Sequence, residues 1–447
     1  MAVNGSTTSS RATKPSAIPL SAVFIWIGLA TVSWDRLGNL TVGTYNLRLP
    51  LVTFAIGFIL SVCDYYILNR TAPKTKPAMP LLMTFVALTM AIVALTGINW
   101  IASFQNTAAY VLSSFIPFLA VYLFVRVSGR LEECLTAFII GAVVAALYGV
   151  YQLVAFYTGL PQGIPYESVG GGLGRISAFN YESGYFGYFI ILAIAAVYAR
   201  ARLTAREPSK LLLLFLAGAL VLANTRASIF TIPLLVVFMF AGGRVSARVV
   251  RWLPALLALS VLGLLISAMI PGLYDQMFLR MSTVFDPTEP TSNAPRLARL
   301  AEAARVIQGS PWVGVGPGNF AEAAGAIGIQ SSGEFADNKY IANNIWYQAM
   351  LDGGAFLLAL ESALVVSAVH QLYRKSLPTA RALMAGWLSV FTVSSLITSY
   401  YFDTKLWVIL AMALAAARQA QQEKIHNADG AGRSESPSSS PYQGSRP

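Results

Sequence analysis

The chain predicts an all-α polytopic membrane protein with about twelve transmembrane helices, and three observations carry that reading. Its residues are 56% hydrophobic and only 11% charged, where a soluble globular protein carries about 25% charge. That leaves too little polar surface to cover a water-soluble particle of 447 residues. Apolar runs of about 20 residues recur, the length that crosses a hydrocarbon core ~30 Å thick. Alternating segments of about ten residues, which a membrane barrel needs, do not occur in the sequence. A helix satisfies its own backbone groups in lipid, so the spans are helical.

Taken in order, residues 1–17 read as a polar, Ser/Thr-rich, disordered tail. Ile18–Val32 is a retained first helix, because no small-residue cleavage site precedes Trp34-Asp35-Arg36. Further spans follow at Leu49–Leu68, Met79–Ile98, Ala108–Val125, Leu135–Phe156, Tyr185–Ala199, Leu211–Ala223, Ala227–Phe240 and Leu253–Ile270. The last three are Ala355–Leu372, Leu383–Ile397 and Leu406–Ala417. The membrane domain is thus 18–417, with a large structured outer loop at 271–354 between helices nine and ten. Residues 418–447 read as a second disordered cytoplasmic tail, ending in a Ser/Pro-rich run.

Charge sets the orientation. With the N-terminus inside, 21 of the 31 Lys and Arg fall in cytoplasmic segments, among them Arg70, Lys74 and Lys76, and Arg200, Arg202, Arg206 and Lys210. Half of the outer ones lie in the single long loop. The short loops follow the positive-inside rule, which predicts N-in/C-in. The same distribution explains the net charge of +11 as a topology signal and argues against nucleic-acid binding. Cys63 and Cys134 fall at cytoplasmic helix ends and read as free thiols, and with two His no Cys/His zinc cluster is on offer.

The outer loop has internal order. Asn293-Ala294-Pro295 is a helix start. Leu297, Leu300, Ala301, Ala304 and Ile307 recur at helical spacing, and Gly309-Ser310-Pro311 stops the helix. Arg296 and Arg299 are neighbours on its surface, with Arg305 roughly opposite. Gly314-Val315-Gly316-Pro317-Gly318-Asn319-Phe320 is a structural turn, since no strand precedes it and no Gly-Lys-Ser/Thr follows. A single helix from Ile345 to Leu372 would be about 42 Å long, longer than the membrane core. The segment 343–352 is therefore predicted as a separate helix at the outer interface, broken at Gly353-Gly354, with Trp346 and Tyr347 at interfacial depth.

Arg175, Arg226, Arg280, Arg296 and Arg299 put several guanidiniums on the outer face. Arg226 sits in a very short turn close to hydrocarbon, where an Arg usually has an anionic partner, although a snorkelling side chain would look the same in sequence. Guanidinium binds phosphate through paired hydrogen bonds, so a membrane-embedded phosphate or pyrophosphate presented from outside is a fitting ligand. Glu361 falls inside the membrane, in a pairing or structural role.

These segments resemble the bacterial O-antigen ligase and polysaccharide polymerase family. Thr225-Arg226 matches its pair opening a central helix. Arg296-Leu297-Ala298-Arg299-Leu300 through Gly309-Ser310-Pro311 to Phe320 matches its Arg-bearing loop helix and small-residue turn. Asn343-Asn344-Ile345-Trp346 ahead of Asp352-Gly353-Gly354 matches a later motif, and Arg175 to Glu182 a segment ahead of a helix. One position departs: the family's ligases carry His where this chain has Asn343.

The resemblance implies a metal-independent membrane glycosyltransferase without a cofactor. It would move an oligosaccharide from a polyprenyl-pyrophosphate donor to a glycan hydroxyl outside the bacterial inner membrane, with membrane lipid and other polysaccharide-assembly proteins as partners. Charge developing on the leaving pyrophosphate needs fixed positive charge in a partly dry site. Arg226 and Arg296 are the candidates, with Arg175 or Arg299 assisting and Asn343 and Asn344 near the substrate. Glu182, Glu334 and Asp337 are the candidate general bases. Because an amide cannot titrate, Asn343 tilts the reading toward repeat-unit polymerisation over ligation to lipid A core. A twelve-helix transporter or flippase is the alternative, but the sequence shows no matching six-helix halves.

Overall fold

The computed structural model describes residues 18–38, 40–42, 45–64, 78–164, 167–169, 173–241, 293–329, 340–375, 378–398 and 403–433. It is built of helices. The first are α1 (Leu20–Ala30), α2 (Leu49–Cys63), α3 (Ala78–Ala94), α4 (Trp100–Ser128) and α5 (Leu131–Thr158). Next come α6 (Ser183–Leu203), α7 (Lys210–Ala223), α8 (Arg226–Ala241), α9 (Asn293–Gly309) and α10 (Phe320–Ala326). The last are α11 (Ile345–Lys375), α12 (Pro378–Ile397) and α13 (Thr404–Arg433).

Eleven of the twelve predicted spans coincide with one of these helices, and the ninth, Leu253–Ile270, lies outside the described residues. Five helices are long and apolar enough to cross a membrane: α4, α5, α6, the Ile345–His370 part of α11, and α12. Shorter apolar helices are α1, α2, α3, α7 and residues Arg226–Met239 of α8.

The structure differs from the sequence reading in three places. Two small antiparallel hairpins interrupt the all-helical pattern. One is β1 (Leu40–Val42) with β2 (Tyr45–Leu47); the other is β3 (Glu167–Val169) with β4 (Leu173–Arg175), in which Glu167 stands opposite Arg175. Three-residue strands are too short to leave an alternating pattern. The last helix continues past Ala417 to Arg433, through Gln, Glu, Lys and Ala, which are good helix formers. Inside α4, Val111–Phe115 forms a π turn.

The bundle is assembled around α6, whose apolar stretch is the most buried of the long helices. It packs on α12, α7, α5 and α8. Small residues allow the close crossings: Gly386 of α12 lies against Ala195 of α6, and Gly141 of α5 against the Ala30 backbone. The contact of α1 with α2 is made the same way, with Gly28 against Phe54 and Gly57 against Ile25. A second, smaller core joins α9 and α10 through Ala303, Val306, Phe320, Ala323, Tyr340, Ala342 and Leu351. The connections after α1, α3 and α7, and those before α6, α11 and α13, gather at one end of the bundle, here the polar end.

Candidate functional site at the polar end of the bundle

The first turns of α6 organise the site. Ala178 stands ahead of them in the left-handed region, at φ 49°, a conformation that costs a non-glycine residue about 1–2 kcal/mol. Gln152 of α5 holds it there: its Oε1 accepts from the Ala178 N–H at 2.8 Å, and its Nε2 donates to the Ala178 carbonyl at 3.3 Å. The Phe179 carbonyl accepts from the N–H groups of Asp35 and Arg36, each at 3.0 Å. Arg36 Nη2 donates to the Tyr181 carbonyl at 2.6 Å. Asn180 is wholly buried, and its Oδ1 accepts from Lys405 Nζ at 3.1 Å.

Lys405 is itself buried. It meets Asp35 Oδ2 at 3.1 Å and Asp403 Oδ1 at 3.5 Å, while Asp35 Oδ1 takes Arg48 Nη1 at 2.7 Å. Two cations thus face two carboxylates, and Arg48 also lies over the Tyr181 ring, 5.0 Å from its centre. A buried charge is tolerated when it is paired and hydrogen-bonded, and every charge of this set is paired, although Asp403 Oδ2 and Arg48 Nε make no hydrogen bond among the described residues. The set ties three distant stretches of chain to the four residues ahead of Glu182.

Glu182 occupies the N-cap position of α6 and is exposed. Its carboxylate stands where the partial positive charge of a helix N-terminus favours an anion. One turn on, a Cβ at Gly187 would come within 1.9 Å of Ser228 Oγ and 3.3 Å of Thr225 Oγ1. The hydroxyls of Thr225 and Ser228 are themselves hydrogen-bonded to each other. Between them Arg226 opens α8, immediately after Asn224 has closed α7 in the left-handed conformation. The charges of both Glu182 and Arg296 bear on the hydroxyl of Tyr188, the next residue of α6. The start of α8, which carries Arg226, thus packs on the second turn of α6, and the charges of Glu182 and Arg296 reach the same stretch of that helix.

Arg175 ends β4, and Arg299 lies over the Tyr340 ring, 5.3 Å from its centre. Tyr340 donates to Glu302; burial first, then this carboxylate, pushes its phenol pKa up, so Tyr340 stays neutral at ordinary pH. Asn343 adopts φ 53°, a left-handed conformation in which Asn and His are both enriched. Exchange between those two residues is therefore tolerated by the backbone while the chemistry changes. Asn344 caps α11: its Oδ1 accepts from the N–H groups of Trp346 and Tyr347 at 3.0 and 3.1 Å. Glu334, Asp337 and Arg280 lie outside the described residues.

The glycine-rich turn is fastened to the start of α11. Gly353 and Gly354 break the helix as the sequence predicts, and Gly354 adopts φ 64°. A Cβ there would sit 2.2 Å from the Trp312 backbone, and one at Gly314 would sit 2.4 Å from the Leu351 carbonyl. Val315 N–H donates to Leu351 O at 2.7 Å, and Ala355 N–H to Pro311 O at 2.9 Å. Asn319, fully buried, donates to Ser103 Oγ at 3.0 Å and to Val315 O at 2.9 Å. Asp352 is buried too, accepting from Gln348 Nε2 at 2.8 Å and from the Gly318 backbone.

Asp35, Lys405, Gln152, Asn319 and Asp352 are residues that sequence reasoning passed over as site components. The available signal was their polarity: each is a polar or charged side chain beside or within apolar sequence in a chain that has few. Among the described residues no group of three His, Cys, Asp or Glu side chains forms a metal site.

Fold and site define a multi-pass helical membrane protein in which α9 and α10 form a small second core packed against α11. The O-antigen ligase family model matches residues 211–361, from α7 through the first turns of α11. Over that part the chain is similar to the O-antigen ligase and polymerase family, and the match supports membership of it. No curated protein matches the chain.

Proposed function

We propose that the protein transfers an oligosaccharide from a polyprenyl-pyrophosphate donor to a glycan hydroxyl at the outer face of the bacterial inner membrane, polymerising repeat units. The twelve-span, N-in/C-in topology belongs to this reading, with the polar end facing the periplasm. One observation carries it: the start of α8, which bears Arg226, packs on the first turns of α6, and the charge of Arg296 reaches those same turns. Two guanidiniums and the N-terminus of α8 supply a fixed positive field suited to a pyrophosphate. As the anomeric C–O bond breaks, the pyrophosphate keeps the bonding electrons, and this field stabilises the growing charge. The acceptor hydroxyl bonds to the anomeric carbon and gives up its proton. Glu182, Glu334 and Asp337 are the candidates to take it, Glu182 standing at the N-cap of α6.

Asn343 favours polymerase over ligase, because this position holds a group that cannot accept a proton. The ligase reading is kept open by the description of the matching family.

In a deletion strain complemented in trans, Arg226→Ala and Arg296→Ala should each lower transfer about 100-fold or more at unchanged membrane abundance. Lys should rescue poorly, since it lacks the paired donors. Near-normal activity of both Ala variants would refute the pyrophosphate role. Gel profiling of the lipid-linked pool separates the two products. A polymerase deletion leaves single repeats on the carrier, whereas a ligase deletion leaves long chains there. Reporter fusions at Lys210 and Arg381 should read cytoplasmic and one at Gly333 external.

A further inference from the structure

Asn343 stands in a left-handed conformation, at φ 53°, and is half-exposed between two buried neighbours, Ala342 and Asn344. Gln348, one turn into α11, clasps both flanks. Its Oε1 accepts from the Ala342 N–H at 3.0 Å, and its own backbone N–H donates to the Asn344 carbonyl at 2.9 Å. Gln348 Nε2 in turn donates to Asp352 Oδ1 at 2.8 Å, and Asp352 also accepts from the Gly318 backbone. Ala342 packs in the small core that includes Ala303 and Val306 of α9, the helix that carries Arg296.

The order of atoms in this relay is forced. A backbone N–H only donates, so the Gln348 oxygen must face Ala342 and its NH2 must face position 352. That NH2 needs an acceptor, and Asp352 is one. Both side chains are buried, where polar groups are costly unless they are hydrogen-bonded. Apolar residues at 348 and 352 would still fill the helix face, but the Ala342 N–H would lose its acceptor and Asn343 would be free to turn. A left-handed residue other than glycine persists where its surroundings over-determine it, and such residues cluster at functional sites.

We infer that Gln348 and Asp352 are positioning residues of the transfer site, holding Asn343 so that its amide meets the acceptor hydroxyl. This rests on the transfer reading above and adds to it the means by which α11 aims a residue of the preceding loop. An amide both donates and accepts, so Asn343 orients the hydroxyl without taking its proton. Orientation matters in such a step, since a displacement of about 1 Å can cost about 100-fold.

The test is the rate at which glycan product appears on gels after induction in the complemented deletion strain, at matched membrane abundance. Gln348→Glu keeps the acceptor for Ala342 but sets a carboxylate against Asp352, and should slow product formation about tenfold or more. Adding Asp352→Asn puts the amide at the other end of the same hydrogen bond while still accepting from Gly318. This double variant should recover to within about threefold of wild type. Asn343→Ala should itself be slow, and Gln348→Glu in that background should cost less than about twofold more, because residues acting as a unit are not additive. A near-normal rate for Gln348→Glu, or a double variant as slow as the single, would overturn the inference. Losses that multiply in the Asn343→Ala background would do the same, marking a merely structural role. A near-normal Asn343→Ala would overturn it too while leaving the arginine site standing, which Arg226→Ala in the same assay judges separately. A deletion that leaves the glycan unchanged would overturn the transfer reading and this inference together. Where Gln348→Glu fails to accumulate in the membrane, Asp352→Ala takes its place, and the Asn343→Ala background decides in the same way.

Discussion

The segment 178–181 and the turn 311–318 both fasten a loop to the polar end of the bundle, one with charges and side-chain hydrogen bonds, the other with glycines. Around 178–181 the contacts come from Gln152, Arg36 and Lys405 and hold even a strained Ala178 in place. At 311–318 the backbones of two segments touch directly, because Gly314 and Gly354 carry no Cβ. The first joint depends on electrostatic pairing and tolerates changes of volume that keep the charges. The second depends on volume and is indifferent to charge. Each should therefore fail under a different kind of substitution.

The largest effect is expected at Lys405. Replacing it with Met leaves Asp35 and Asp403 buried against Arg48 alone, and breaking a buried pair by removing one partner costs about 3–5 kcal/mol. A large fall in the unfolding midpoint of the purified protein should follow. Asp35→Asn in the same background should recover part of it. A loss in the double variant equal to the sum of the singles would show that the network is not coupled.

Gly354→Ala should come next, at about 2–4 kcal/mol, combining a left-handed backbone with a Cβ placed inside the Trp312 backbone. Limited proteolysis should then reach the 311–329 region, while the 178–181 segment stays protected. Proteolysis of both together would erase the distinction between the joints. Gly187→Ala tests the seam between them, where α6 meets α8. Overpacking against Ser228 should cost about 1–3 kcal/mol, and Ser228→Ala should relieve most of it, because the clash is with that side chain. The smallest effect belongs to Asn344→Ala, which removes the α11 cap, worth about 1 kcal/mol, and a long 3.4 Å hydrogen bond to the Leu396 carbonyl. A fall as large as that of Gly354→Ala would mean that Asn344 does more than cap.

Much of the fold was legible because membrane helices announce themselves by length and apolarity, residue by residue. The break in α11 was equally legible, since Gly353-Gly354 interrupts a run too long for the membrane. The outer helix Asn293–Gly309 could be bounded by its cap and stop residues. What could not be read were the partners of contacts across long sequence separation. Lys405 and Asp35 are 370 residues apart, and nothing local to either names the other. Gly314 and Gly354 likewise look like ordinary turn glycines until their backbones are seen to touch. The arginines were legible as a chemical type, but their order along the chain does not reveal that the start of α8, with Arg226, packs on α6 while Arg299 turns toward Tyr340.

The π turn at Val111–Phe115 has a consequence for how α4 tolerates change in length. A π turn holds one residue more than the α-helix around it, which turns the helix faces before and after it by about 100° relative to each other. Tyr110, at the edge of that turn, packs edge-on against Trp407 of α13, while Phe118 and Tyr122 beyond it stack on each other, and all three are buried in the main core. Deleting one residue from 111–115 would make the helix more regular by every local criterion. It would also swing either Tyr110 or the whole C-terminal half of α4 out of register with its neighbours, so the irregular helix is the one that fits.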